Sequence, residues 1–144
     1  MSDRLVVIPK LHRATHAVGL ALASDPELDV TQPEAHILAH LAETADARIA
    51  ELHERFGHRR STLTSVLDRL EQRALITRAT DMNDRRSFVV TLTKRGRSVA
   101  KAVHGALLAI ERTAVGSMSP SQRALASELL DALAAAAKDS ARRR

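Results

Sequence analysis

The segment from Gly57 to Gly96 restricts the fold more than any other part of the chain. It reads GHRRSTLTSVLDRLEQRALITRATDMNDRRSFVVTLTKRG. Its pattern predicts a helix over about residues 60–73 with a polar and basic start, then an apolar link at Leu75-Ile76, and then a two-stranded hairpin with charged residues at its tip. This order is typical of a helix-turn-helix followed by a β wing.

Helical patterns lie on both sides of this segment. Residues 5–23 carry an apolar stripe, Thr31 and Glu34 form a capping box for a second helix, and a third helix over 49–56 ends at Gly57. The apolar spacing predicts a set of inward-facing positions, which are Ile37, Leu38, Leu41 and Ala45, then Phe56, then Leu63, Val66, Leu67 and Leu70, then Phe88, Val90 and Leu92.

The C-terminal third predicts two further helices. Thr93 can cap a long helix over about 94–117, and Ser119 and Gln122 form a capping box for a last helix over 120–138. The expected fold is therefore mainly α, a winged helix-turn-helix with a two-stranded β wing plus N- and C-terminal helices.

The chain ends raise a packing question. The apolar stripes on residues 5–23, 97–117 and 120–138 flank a small central module and have little core of their own. A symmetric dimer would bury them, and a monomeric six-helix bundle is the alternative. We expect one domain over 1–144, with a DNA-binding lobe at 31–96 and dimerisation helices at 1–30 and 97–144.

The distribution of charge favours a polyanionic partner. Residues 48–97 hold 12 Lys and Arg against 6 Asp and Glu, whereas the rest of the chain holds 10 against 11. Such a localised excess is the footprint of a nucleic-acid-binding module, although a solvated basic face would look the same. The two aromatic residues, Phe56 and Phe88, are both predicted in the core, which leaves none to stack on single-stranded bases and favours duplex DNA.

Several other classes of function find no support in the sequence. The chain has no cysteine and no apolar run near the ~18 residues of a membrane span. It also lacks a nucleophile elbow, a P-loop and a dinucleotide fingerprint, so neither an enzyme nor a cofactor is predicted. These features fit a cytoplasmic protein without contact to a membrane.

Candidate DNA-binding residues cluster at the start of the helix over 60–73. An arginine bonded to guanine discriminates bases by ~1–3 kcal/mol, so Arg59 or Arg60 is expected to make the strongest contact. Further along, Arg69 and Arg73 are expected to position the DNA backbone, or, for Arg69, to form a network with Asp68 and Arg73. The remaining candidates are the short hydroxyl side chains of Ser61, Thr62, Thr64 and Ser65.

The chain resembles the MarR family of winged helix-turn-helix transcription regulators over nearly its whole length. The matching motifs are Thr62-Leu63, Leu70-Glu71, Leu75-Ile76, Asp84-Arg85-Arg86 and Leu92-Thr93 with Gly96. The resemblance implies a homodimer, most often a repressor, on a pseudo-palindromic operator. Each recognition helix would enter a major groove and each wing a minor groove. It also implies that one wing arginine pairs with the wing aspartate, here Arg86 with Asp84, while Arg85 reaches the DNA.

Three positions depart from the family pattern. Ala74 stands where the family usually has glycine, which predicts that the helix end is built differently. Arg59 is a cation at a helix N-terminus, where it opposes the helix dipole unless it faces phosphate. Arg48 replaces a usual Ser or Thr cap, and Asp46 is the expected substitute.

The resemblance also implies a small organic effector, often an aromatic acid, bound between the dimer helices and the DNA-binding lobe. The candidate polar residues there are His12, Arg13, His16 and His40, with surface residues that bind nothing as the alternative. His12 with His16, and His36 with His40, have metal-ligand spacing, but both pairs lie on helix flanks. A His-based metal-responsive or metal-binding protein is the second hypothesis, and a helical interaction module without affinity for DNA is the third.

Overall fold

The computed structural model describes residues 4–143, and this part of the chain contains six helices and three strands. In chain order they are α1 (Val7–Ala23), α2 (Gln32–Thr44), β1 (Asp46–Arg48), α3 (Ile49–Phe56), α4 (Arg60–Gln72), β2 (Ile76–Thr80), β3 (Phe88–Leu92), α5 (Lys94–Val115) and α6 (Pro120–Arg142). Each predicted helix is present, although α5 ends two residues early and α6 continues past residue 138.

The helix starts follow local capping chemistry. Thr31 caps α2, where its N–H donates to Glu34 Oε2 at 2.8 Å, and Ser119 and Gln122 form the predicted capping box of α6. The start of α3 was predicted wrongly. Asp46 lies in β1 and does not cap the helix, and Glu51 Oε2 instead accepts the N–H of Arg48 at 2.9 Å.

The sheet has one strand more than predicted. Its strands are antiparallel in the order β1-β3-β2, with Arg48 opposite Val89 and Val89 opposite Ala79. A three-residue strand is too short to show the alternation by which a strand is recognised in sequence. The wing hairpin is thereby joined to the segment that begins α3.

Most of the predicted core positions are buried. Ile37, Leu41 and Leu70 are fully inaccessible, and the link residues and Val90 and Leu92 of β3 are buried as well. Two predictions were wrong. Ala45 ends α2 with a φ of 70° and is exposed, and Phe88 keeps 49% of its surface accessible because it stands at the outer end of β3.

The chain divides into two compact units, the first ending at Leu107 and the second beginning at Leu108. The first unit holds α1 to α4, the sheet and the start of α5, and its core includes Leu22 and Val103. In the second unit, no residue of α6 is buried, and Leu125, Leu129 and Leu130 are exposed. None of the helices within residues 4–143 has the length and hydropathy that crossing a membrane requires.

Candidate nucleic-acid interface

The C-terminal end of α4 is closed by a left-handed residue. Ala74 has a φ of 54°, its N–H donates to the Glu71 carbonyl at 2.9 Å, and the N–H of Leu75 donates to the Leu70 carbonyl at 2.9 Å. These two bonds are those of a Schellman motif, which usually has glycine at the left-handed position. The prediction that Ala74 changes the helix end was therefore wrong, because the helix keeps the usual ending and the alanine adopts a strained conformation.

The motif Leu92-Thr93-x-x-Gly96 holds α5 against this ending. Thr93 Oγ1 donates to the Ala74 carbonyl at 2.7 Å and accepts the N–H of Gly96 at 2.8 Å, which caps α5 as predicted. A Cβ on Gly96 would lie 1.8 Å from the Leu75 carbonyl oxygen. The glycine is required because the backbones of α5 and of the link approach closely.

The N-terminal end of α4 is open to solvent. Arg59 occupies the cap position without a side-chain cap bond, and the first turn contains no acidic residue. The side chains of Arg59 and Arg60 form no ion pair within the described residues, and Ser61 and Thr62 beside them are exposed. The first turn of α4 therefore combines N–H groups that lack an intrahelical acceptor with two exposed arginines and several hydroxyls, an arrangement that suits an anionic partner.

Two further hydroxyls bond back to their own helix. Thr64 Oγ1 donates to the Arg60 carbonyl at 2.9 Å and Ser65 Oγ to the Ser61 carbonyl at 3.0 Å. Both side chains are exposed, and each oxygen keeps its lone pairs. Thr64 and Ser65 thus present acceptors on the exposed face of α4.

The later arginines of α4 are engaged within the protein. Arg69 Nε lies 2.8 Å from Oε1 of the buried Glu34, and Arg73 Nη1 donates to the Asp29 carbonyl at 2.7 Å and lies 3.9 Å from Glu34 Oε2. Both arginines join α4 to the start of α2. These contacts compete with their predicted role in positioning DNA, which stays a prediction. The alternative network of Arg69 with Asp68 and Arg73 is not formed either. Asp68 instead contacts Arg78 of β2 at 2.7 Å.

The wing tip exposes Arg85 and Arg86, as predicted. The predicted side-chain pair of Arg86 with Asp84 is not among the ion pairs of the described residues. Asp84 Oδ1 accepts the backbone N–H of Arg86 at 3.0 Å instead, so Asp84 shapes the turn and leaves both guanidinium groups unpaired. The sequence alone did not distinguish a backbone bond from a side-chain bond at this spacing.

The buried carboxylate of the wing is Asp81, to which the sequence analysis assigned no role. It is 5% exposed and accepts bonds from Arg48 Nε at 2.6 Å and from the N–H of Asn83 at 2.9 Å. The Asn83 N–H and the Arg48 guanidinium lower the pKa of Asp81, so the carboxylate is ionised at neutral pH. Arg78 contacts Glu71 as well as Asp68 and holds the other side of the hairpin to α4.

The four candidate effector residues do not form one site. His12 and His16 are exposed on α1 with their rings stacked at 6.4 Å, and Arg13 lines a groove with His12 near the start of that helix. His40 lies between α2 and α3, where its ring meets Phe56 edge-on at 5.8 Å. Within residues 4–143, no group of three or more His, Cys, Asp or Glu side chains is arranged to hold a metal ion.

A histidine cluster packs behind the open end of α4. Phe56 stacks on His58 at 6.3 Å on one side and meets His40 on the other, and His40 Nδ1 is buried without a hydrogen-bond partner. Burial and the charge of His58 lower the pKa of His36, and burial with the charge of Arg55 lowers the pKa of His40, against the opposing effect of Glu43 and Glu51. The fold therefore favours the neutral forms of His36 and His40.

The first unit also contains a largely apolar cavity of about 590 Å³. Leu41, Leu92 and Ala45 form apolar walls, and Arg97 and Lys101 of α5 supply positive charge. Sequence reasoning missed this site because its residues come from α2, β3 and α5, which no local pattern brings together.

Comparisons with known proteins agree with this geometry. Residues 30–88 match the sequence model described as MarR family, which confirms the predicted resemblance for this segment. The HTH-type transcriptional repressor MdtR of Bacillus subtilis (strain 168) is 35% identical over 75 residues, which are 52% of this chain and 48% of MdtR. The chain spans about half the length of the curated relatives it matches.

Solved structures extend the likeness of fold to most of the chain. A probable transcriptional regulator from Pseudomonas aeruginosa is 26% identical with a TM-score of 0.71, covering 88% of this chain and 96% of that one. NadR in complex with 4-hydroxyphenylacetate is 23% identical with a TM-score of 0.74, covering 93% and 96%. The mainly α winged fold predicted from the sequence is confirmed.

Proposed function

Residues 30–88 carry the winged helix-turn-helix of the MarR family, and from that premise we propose that the protein is a sequence-specific duplex-DNA-binding transcription regulator. The observation that carries the proposal is the open end of α4, where Arg59 and Arg60 stand unpaired beside exposed hydroxyls. Repression is the more direct mode of regulation, because a protein bound to an operator blocks transcription by occupying that site. The protein would act in the cytoplasm.

The proposed DNA contacts are the exposed polar side chains of the first turns of α4 and of the wing tip, whose arginines form no ion pair among the described residues. Arg59, Arg60, Ser61, Thr62, Thr64 and Ser65 would meet a major groove, and Arg85 and Arg86 the adjacent minor groove and backbone. Arg69 and Arg73 leave this set, because Glu34 and main-chain carbonyls already hold their guanidinium groups.

A homodimer is the second part of the proposal. The exposed apolar side chains of α1 include Val7, Ile8 and Leu20, and those of α6 include Leu125 and Leu129. A helix of 23 residues with no buried side chain gains little stability alone, and a second copy of the chain would cover it. Two recognition helices would then read the two halves of a pseudo-palindromic operator.

We further propose that a small organic acid releases the DNA. The cavity beside Arg97 and Lys101 supports this, because it combines apolar walls with two cations, which outnumber the one carboxylate of its lining, Glu43. NadR was crystallised with 4-hydroxyphenylacetate, an acid of that kind. This cavity replaces the set of His12, Arg13, His16 and His40 as the candidate site. Isothermal titration with a panel of aromatic acids, on the native protein and on Lys101→Met, tests the proposal.

The experiment that tests the main proposal is the selection of binding sites from random duplex DNA at about physiological salt. An inverted repeat with half-sites roughly one helical turn apart would support a dimeric regulator. Salt-sensitive binding without an enriched motif would contradict sequence-specific regulation and leave a non-specific polyanion binder. Metal content after purification tests the His-based alternative, which requires stoichiometric metal.

A matched pair of variants then tests the wing. Arg85→Ala removes an exposed tip arginine, whereas Arg55→Ala removes an exposed arginine of α3. We expect Arg85→Ala to weaken binding to all duplexes and to reduce the slope of log K against log salt by about 1. Equal effects of the two substitutions would remove the wing from the proposed contact surface.

A further inference from the structure

We propose that Arg48 is a wing-positioning residue, which holds the loop over residues 81–87 at a set distance from α4 through its bond to Asp81. The expected effect on DNA binding rests on the proposed function, whereas the contact by which Arg48 holds the loop does not depend on that function. Arg48 stands at a position where a side-chain cap was expected, and it has a different task there.

The bond spans the whole sheet. Arg48 lies on β1, Asp81 follows β2, and β3 runs between those two strands. Arg48, Val89 and Ala79 are aligned across the three strands, so their side chains share one face, and Asp81 follows Ala79 at the spacing that returns to that face. The Nε of Arg48 reaches Oδ2 of Asp81 at 2.6 Å.

Asp81 organises the loop around this bond. Its Oδ1 accepts the N–H of Asn83 at 2.9 Å, its Oδ2 lies 3.4 Å from the Ser87 hydroxyl, and its N–H donates to the Ser87 carbonyl at 2.9 Å. Among the described residues, Arg48 makes the one side-chain hydrogen bond or ion pair that reaches residues 81–87 from outside the hairpin. Loss of the bond between Arg48 and Asp81 would thus free the loop, and Arg85 and Arg86 would become mobile together.

Burial gives the contact its strength. The Asp81 side chain is 6% exposed while that of Arg48 is 47% exposed, so the carboxylate depends on Arg48, Asn83 and Ser87 to replace water. A buried carboxylate without its cation is disfavoured, which makes a displaced wing with a hydrated Asp81 the natural result of losing Arg48. The hydrogen bond and the charge of Asp81 raise the pKa of Arg48, and the charges of Glu51 and Asp84 add to this effect.

A direct contact of Arg48 with phosphate would predict the opposite result for one variant. Asp81→Asn removes a negative charge and frees Arg48, so a protein that binds DNA through charge alone would bind more tightly. A positioning role predicts weaker binding, because the loop loses its anchor. The sign of the change in affinity for Asp81→Asn therefore separates the two roles.

The experiment compares Arg48→Met, Asp81→Asn and the double variant, with Arg55→Met as the control for a lost positive charge on α3. The first readout is affinity for a duplex selected by the native protein. We expect each single variant to bind roughly tenfold more weakly, the double variant to bind no more weakly than either, and Arg48→Lys to recover part of the loss. In a background of Arg85→Ala with Arg86→Ala, Arg48→Met should cost nothing further.

The second readout needs no DNA. Hydrogen exchange of the amides at residues 83–87 in the free protein should be at least several-fold faster in Arg48→Met and Asp81→Asn, and unchanged in Arg55→Met. Far-UV circular dichroism checks folding, and Arg48→Gln serves if Arg48→Met does not fold. Unchanged exchange, tighter binding of Asp81→Asn, or additive losses in the double variant would overturn the proposal. If the native protein selects no duplex, the proposed function fails, while the exchange data still decide whether Arg48 holds the loop.

Discussion

The two ends of α4 carry similar residues in opposite situations. At the start, Arg59 and Arg60 have no acidic neighbour in the first turn and face solvent. At the other end, Arg69 and Arg73 reach the buried Glu34, and a Schellman motif ties the helix to the link and to α5. One end is open to solvent, and the other is bound to the protein itself.

The difference shows what a positive charge can and cannot indicate. All four arginines lie on one short segment, and the sequence made each a candidate for DNA, with the strongest contact expected from Arg59 or Arg60 and backbone contacts from Arg69 and Arg73. A guanidinium bonded to a buried carboxylate can contact a phosphate only through the donors that this bond leaves free, whereas a guanidinium without such a bond has all its donors available. The availability of a charge, more than its presence, therefore defines the candidate interface.

The largest expected effect comes from a substitution at the C-terminal end of α4, where α5 packs closely against the link. Gly96→Ala places a Cβ against the Leu75 carbonyl oxygen, so α5 must move away from the link. We expect the free energy of unfolding in urea to fall by about 3 kcal/mol. Gly105→Ala is the matched control on the same helix, where a Cβ meets nothing within 4 Å. Equal effects of the two substitutions would show that the approach of α5 to the link is not tight.

The second largest expected effect comes from removing the charge of Glu34, which pairs with Arg69 and Arg73. Glu34→Gln weakens the bonds to Arg69 and Arg73, and we expect a loss of about 2 kcal/mol in the free energy of unfolding. Glu43→Gln, on the exposed side of the same helix, should change it by less than about 0.5 kcal/mol. Thermal denaturation of both variants gives the comparison. If Glu34→Gln leaves the free energy of unfolding unchanged, the pairing of Glu34 with Arg69 and Arg73 contributes little to stability.

The contrast between the two ends is sharpest in DNA binding. Arg60→Ala should weaken affinity for a selected duplex about tenfold without loss of stability, since its guanidinium has no partner inside the protein. Arg69→Ala should leave affinity within about twofold and lower the melting temperature instead. Fluorescence anisotropy and calorimetry measure the two quantities on each variant. The reverse pattern would assign the DNA-facing role to the wrong end.

A smaller change should relieve strain at the closed end. Ala74 has positive φ, and glycine adopts this conformation without the cost to a Cβ, although it also makes the unfolded chain more flexible. We expect Ala74→Gly to raise the free energy of unfolding by about 0.5 kcal/mol. Ala102→Gly, within α5, should lower it by about 1 kcal/mol. A loss of stability in Ala74→Gly would contradict the strain.

The smallest expected effect is a dependence of the free energy of unfolding on pH through His36. Burial and His58 lower the pKa of His36 from 6.5, so the unfolded chain binds protons more readily than the folded one. This contribution to stability is complete above 6.5 and is lost as the pH falls below that value. Urea denaturation between pH 7 and 5 should show the decline, and His36→Gln should reduce its slope. An unchanged slope would exclude His36 as its source.

Much of the fold followed from local pattern. The caps at Thr31 and Ser119, the Gly57 ending and the inward faces of α2 and α4 were predicted because each depends on residues three or four apart. The wrong predictions concern residues at the ends of helices and strands and one very short strand. Ala45 and Phe88 continue an apolar pattern past the point where the core ends, and β1 is too short to have a pattern.

The sequence by itself determined the helices, the polar start of α4, the charged wing tip and the family motifs, since these are properties of neighbouring residues. Only the tertiary structure decided which arginine meets which carboxylate. Arg48 and Asp81 are 33 positions apart, and Arg69 and Glu34 are 35 apart. The chain offers many arginines and carboxylates of equal chemistry, and the order of strands and the packing of α2 against α4 select among them. Among the described residues, this selection leaves Arg59, Arg60, Arg85 and Arg86 without an ion pair.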